Sequence, residues 1–226
     1  MNENRVAEPT NFLYPFIDGD ESDAATLLTD LAESAAAKAV DSAALRTATL
    51  DACAATIASA AAEMARRFAA GGRLFTFGNG GSSTDAAILA TLFAQPVSAE
   101  PLPAWSLTSD QAVLTALGND VGFELVFVRQ LIARAKDNDI AIAMSTSGNS
   151  ADLLLAMQEA HRRGLYTVGF TGYDGGAFAN NTCVDVCFAV RSQSVHRIQE
   201  SQAALGHRLW ATVQAEMRRL SACAES

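Results

Sequence analysis

Short apolar, β-branched or aromatic runs at 73–77, about 103–107, 139–144, 166–170 and 184–190 alternate with helical stretches at about 83–94, 122–136 and 151–163. Parallel neighbours in a sheet must be joined by a crossover, and a helix is the usual one. The alternation therefore predicts an α/β fold, a parallel sheet wrapped by helices on both faces. A last long helix is expected from about 194 to 220. Ahead of the sheet, the alanine-rich stretch 23–70 predicts two helices broken near Val40-Asp41-Ser42, where Asp41 or Ser42 would cap the second. In that second helix Leu50, Cys53, Ile57, Ala60 and Met64 recur at helical spacing. Residues 1–22 read as an irregular lead-in with Pro9, Pro15 and Gly19 among Phe12, Leu13, Tyr14, Phe16 and Ile17, and 23–226 as a single domain that includes the helical pair. The aromatic lead-in is expected to dock on this subunit or a neighbour. The early helices and the final one exceed what the sheet needs, which points to an oligomer interface.

Two of the expected strands run straight into turns of Gly, Ser, Thr and Asn that open helices: Gly78-Asn79-Gly80-Gly81-Ser82-Ser83 after the first, and Ser145-Thr146-Ser147-Gly148-Asn149-Ser150 after the third. Small residues let a backbone approach a ligand closely, and a turn that opens a helix presents free N–H groups to an anion. The hydroxyls of Ser145, Thr146, Ser147 and Ser150 add donors. Ligands of open α/β sheets bind at the carboxyl ends of the strands, so the pair predicts a phosphate cradle made without lysine or arginine. A Walker-type loop would end in Gly-Lys-Ser/Thr, and a dinucleotide loop would need glycine where Ser83 stands. Glu100, at about the distance of a ribose-binding acid, does not replace that glycine.

Net charge of −9 and a pI near 4.7 argue against a nucleic-acid or anionic-membrane surface, and no apolar run is long enough for a membrane span. The N-terminus shows no secretory leader pattern, so a cytoplasmic location is expected. Cys53, Cys183, Cys187 and Cys223 have no zinc spacing and read as reduced thiols, with Cys183 and Cys187 on one strand-like segment.

The run GNGGSS with Thr84-Asp85-Ala86, then STSGNS, then Thr171-Gly172-Tyr173-Asp174-Gly175-Gly176, then Arg197-Ile198-Gln199-Glu200, resembles the sugar isomerase (SIS) domain, and within it the phosphoheptose isomerases, over about residues 40–220. The resemblance implies a five-stranded flavodoxin-like sheet, a homotetramer with sites between subunits, and conversion of sedoheptulose 7-phosphate to glycero-manno-heptose 7-phosphate or a related aldose–ketose step. It implies substrate and phosphate binding by Asn79, Gly80, Ser82, Ser145, Thr146, Ser147, Ser150 and Gln199. It also implies catalytic roles for His207, as general acid/base, and for Asp120 in Gly118-Asn119-Asp120.

The family carries a His and a Glu four residues apart on the helix after GNGGS, the Glu serving as base. Ile88 and Leu92 stand there in this chain, and His196 stands where the family has an Asp before RIQE. Isomerisation through an enediolate needs a base at carbon and an acid at oxygen. With Leu92 in place of the Glu, the second group must come from Asp120, His196 or Glu200. Gln199 and His207 alone are too few ligands for zinc, so no catalytic metal and no cofactor are expected. A binding or protein-interaction module that has lost catalysis, resembling the protein that associates with the bacterial replication initiator, is the alternative reading.

Overall fold

The computed structural model describes residues 24–224, and the lead-in at 1–22 lies outside them. The chain divides into two units, residues 1–41 and 42–226. In the first, the described residues are helical and expose Leu27, Leu28, Leu31 and Val40. The second holds the sheet.

The expected break near Val40-Asp41-Ser42 is absent: α1 runs unbroken over Ala24–Ala69. Neither glycine nor proline interrupts that span. Asp and Ser inside a helix cost at most about 0.7 kcal/mol each relative to Ala, too little to stop one so rich in alanine.

The order of the remaining elements is β1 (Leu74–Gly78), α2 (Gly81–Ala94), β2 (Ala104–Ser106), α3 (Gln111–Asp120), a 3-10 turn (Phe123–Leu125), α4 (Val126–Arg134), β3 (Ile140–Met144), α5 (Ala151–Arg162), β4 (Tyr166–Gly172), α6 (Gly176–Ala179), β5 (Val186–Val190) and α7 (Val195–Ala224). The helix α3 has no counterpart in the sequence reading. Its Leu114 and Leu117 pack against the core only partly buried, so its apolar stripe is short, and it is started by an Asp110 side chain that accepts from the Val113 amide. Cys183 lies ahead of β5 rather than on a strand with Cys187, and all four cysteines are free thiols.

The strands form one parallel sheet in the order β2-β1-β3-β4-β5. Every residue of β1 and β3 is buried, as expected of strands covered on both faces. On one side Leu74, Ile140, Ile142 and Val168 pack with Ile57, Met64, Phe93, Leu205 and Leu209 from α1, α2 and α7. On the other, Phe75, Phe77, Ala141 and Ala143 pack with Phe127, Leu131, Leu153 and Met157 from α4 and α5. From β1 the chain crosses to β2 at one edge, and from β3 it continues to β4 and β5 in the other direction. The turns that follow β1 and β3 therefore lie side by side at the point where the winding reverses, where a crevice opens at the carboxyl ends of the strands.

Candidate functional site

The two turns are brought together by strand pairing: Gly78, the last residue of β1, is in register with Met144, the last of β3. A Cβ at Gly78 would stand 2.7 Å from both the Met144 and the Ser82 carbonyl oxygens, so only glycine lets these backbones meet. Gly80, with φ of 53°, turns the chain into α2, and the helix starts without a side-chain cap. The hydroxyl of Ser82 sits on a buried residue of that first turn.

The second turn is folded on itself. The Ser145 hydroxyl accepts from the Gly148 amide at 3.0 Å, and the Ser147 hydroxyl from the Asn149 amide at 3.3 Å. Gly148 has φ of 67°, and a Cβ there would run into the Gly175 carbonyl oxygen. Ser150 occupies the N-cap position of α5 but makes no capping bond. Its hydroxyl therefore satisfies none of the amides that open α5.

Asn79 has a partner within the fold. Its side-chain nitrogen donates to both oxygens of the buried Asp152 carboxylate, at 3.0 and 2.9 Å. Asp152 lies in the first turn of α5, so the contact straps the β1 turn to the helix that the β3 turn opens. Asn149 extends the same frame by accepting from the Ala177 amide at 2.8 Å. Along α7, Gln202 donates to the Ser145 carbonyl oxygen at 2.8 Å, and Gln199 donates to Asp85 at 3.0 Å.

Beside the turns lies a cleft of about 70 Å³, lined by Asp85, Ile88, Leu92, Met144, Gln202 and His207 among others. Asp85, Ile88 and Leu92 sit three and then four residues apart, so they share the face of α2 that looks toward α7. The walls are largely apolar, and the polar groups are Asp85, Gln202 and His207. Burial pushes the Asp85 carboxyl above the ordinary aspartate range, and the Gln199 hydrogen bond offsets part of that rise. Of the groups considered for the second catalytic role, His196 and Glu200 line an adjoining open groove with Gly81, Thr84, Asp85 and Gln199. Asp120 ends α3, its carboxylate accepting from Asn119 at 2.7 Å, and is not among the residues lining either cavity. The residue that sequence reasoning passed over is Asp85. Its place three residues before Ile88 was the available clue.

A family profile described as the SIS domain matches residues 39–172. The phosphoheptose isomerase of Rhodospirillum rubrum is 41% identical over 164 residues, which cover 72% of this chain and 86% of that protein. That of Aquifex aeolicus is 43% identical over 139 residues, 61% of this chain and 72% of the relative. The chain belongs to the SIS domain family, in its phosphoheptose isomerase branch. The solved phosphoheptose isomerase of Neisseria gonorrhoeae superposes on this SIS protein with a TM-score of 0.76 at 32% identity, over 82% of this chain and 99% of that one. A phosphoheptose isomerase from Francisella tularensis gives 0.76 at 31%, over 81% and 97%.

The residues of this SIS chain do not fit the metal cluster its family implies. Ile88 and Leu92 supply no donor atom, and the Gln199 amide is spent on Asp85. Among the described residues no group of three or more His, Cys, Asp or Glu side chains converges as a metal site would require.

Proposed function

We propose that this protein is a sugar-phosphate aldose–ketose isomerase acting on sedoheptulose 7-phosphate or a closely related ketose phosphate. The observation that supports the reading is the junction of the two turns with the cleft: two Gly/Ser turns side by side at the switch point, and next to them a small cavity lined by a carboxylate and an imidazole. Relatives named phosphoheptose isomerase, at about two fifths identity, favour this reading over the binding-only alternative.

In this reading the amides opening α2 and α5, with the hydroxyls of Ser82, Thr146, Ser147 and Ser150, hold the phosphate. Ser145, whose hydroxyl accepts from the Gly148 amide as that of Ser147 accepts from Asn149, shapes the turn and keeps its own O–H to donate to the phosphate. Gln199 positions Asp85 rather than a metal. The reacting end of the sugar enters the cleft. Asp85, its carboxyl raised by burial and so a better proton acceptor than an exposed aspartate, removes the proton from carbon. His207 moves the proton at oxygen. Leu89 and Leu92 give the cleft apolar walls, while Ile88, 61% exposed, borders solvent. Asp120 contributes across a subunit boundary in a homotetramer, and the protein works in the cytoplasm.

The test is deuterium exchange. Sedoheptulose 7-phosphate incubated with the enzyme in D2O is expected to acquire deuterium at the exchangeable carbon. Exchange should be lost in Asp85→Asn and His207→Gln proteins whose melting temperatures match the parent. No exchange across a panel of ketose phosphates would overturn the isomerase reading, and full exchange by Asp85→Asn would remove that residue from the mechanism.

A further inference from the structure

At the opposite ends of the strands from the phosphate turns, the sheet edge carries a second assembly that the isomerase reading does not use. Phe75 of β1 is in register with Trp105 of the edge strand β2, and their rings stack with centroids 6.2 Å apart at 29°. The Arg73 guanidinium lies 5.4 Å from the Phe75 ring centroid. Arg73 is itself pinned: it donates to both Asp139 carboxylate oxygens, at 3.3 and 2.8 Å, and to the Arg134 carbonyl oxygen at 2.6 Å. Asp139 is buried, so the base of this stack is fixed and its cation compensated. Trp105, at the other end of the stack, remains 47% exposed.

Arg73, Phe75, Trp105, Ala133, Arg134 and Lys136 line a groove of about 360 Å³ around that ring. Elsewhere the arginines 66, 67, 162, 163 and 219 are tied to Glu63, Glu159 or Glu216. The side chains of Arg134 and Lys136 have no carboxylate partner among the described residues. Two uncompensated cations beside an open aromatic platform form a locally positive spot on a chain of net charge −9. A broader groove that also borders Trp105 and Arg134 includes Asp110, which disfavours an anion there, whereas no carboxylate lines the groove that Lys136 shares.

We propose that this groove is a second ligand site, for a nucleoside phosphate whose base stacks on Trp105 and whose phosphates are held by Arg134 and Lys136. Its volume is at the lower end of the range for small-molecule sites and suits a mononucleotide. Flat aromatic surface attracts a base whatever its identity, and the arginine fork and lysine ammonium match phosphate oxygens. An already rigid stack loses little entropy on binding. The site stands independently of the sugar-phosphate reading, because it shares no residue with the turns or the cleft.

The test uses tryptophan fluorescence. The chain has two tryptophans, Trp105 and Trp210, and the Trp210 indole N–H is buried without a partner, so Trp210→Phe removes an unsatisfied donor and leaves Trp105 as sole emitter. ATP is expected to quench this emission saturably, with adenosine alone and inorganic phosphate alone each at least about tenfold weaker. The double substitution R134A/K136A, on exposed side chains, should weaken ATP by about tenfold or more. Calorimetry of ATP binding to the unsubstituted chain and to Trp105→Ala gives the same comparison without Trp210→Phe. Absence of saturable ATP binding, equal affinity in R134A/K136A, or displacement of ATP by sedoheptulose 7-phosphate would each overturn the proposal.

Discussion

Replacing Asn79 by alanine isolates the strap between the turns that follow β1 and β3. The substitution removes two hydrogen bonds, of 3.0 and 2.9 Å, from a carboxylate only 5% exposed. Stripping the partner from a buried charged group costs more than the net worth of the bonds, and hydrogen bonds to charged groups are worth about 1.5–3 kcal/mol each. Asp152 lies in the first turn of α5, where the helix dipole returns up to about 1–2 kcal/mol to a carboxylate. The expected loss is therefore about 3 kcal/mol. For a chain of this size that is a fall in melting temperature of about 6–12 °C, measured at fixed protein concentration. Asp152→Ala should also destabilise, and the double variant should be milder than the sum of the singles by at least about 1 kcal/mol. Phosphosugar affinity should fall with Asn79→Ala because the turns lose their mutual register. A loss below about 0.5 kcal/mol, or strict additivity of the two substitutions, would refute the strap.

Ser150→Ala should leave stability within about 0.5 kcal/mol, because no capping bond is lost, while weakening phosphosugar binding about tenfold; ligand-dependent melting shifts separate the two effects. Gly148→Ala should cost about 2 kcal/mol or more, since it combines a left-handed φ with a collision at the Gly175 carbonyl, and urea denaturation would read it. Glu63 is held at about 2, below its ordinary 4.5, chiefly by hydrogen bonding to Arg66 and then to Arg67. Its folded value is depressed, so its contribution is complete above about pH 4.5 and fades as the pH falls toward 2. Glu63→Gln should accordingly lower stability by about 0.5–1 kcal/mol at pH 7 and by almost nothing at pH 2, in denaturant titrations at each pH.

The sequence alone determined the strand–helix alternation, the turns after β1 and β3, and the family that their motifs belong to, because each is written in neighbouring residues. Glycine where backbones must touch, hydroxyls where a helix opens and β-branched runs where strands are buried all act over a few positions. The continuity of α1 through Asp41 and Ser42 escaped that reading, since the small local preferences of those two residues were outweighed by the whole helix. So did α3, whose short stripe of Leu114 and Leu117 is only partly buried. Only the tertiary structure decided which side chains meet. Asn79 finds Asp152 across 73 residues and Gln199 finds Asp85 across 114, which gives two motif residues partners far along the chain. The same folding puts Asp85 and His207 in one cleft, on helices α2 and α7. No local pattern encodes such pairs, because they depend on how helices pack over a sheet, and packing answers to the total shape of a face rather than to the order of residues along it.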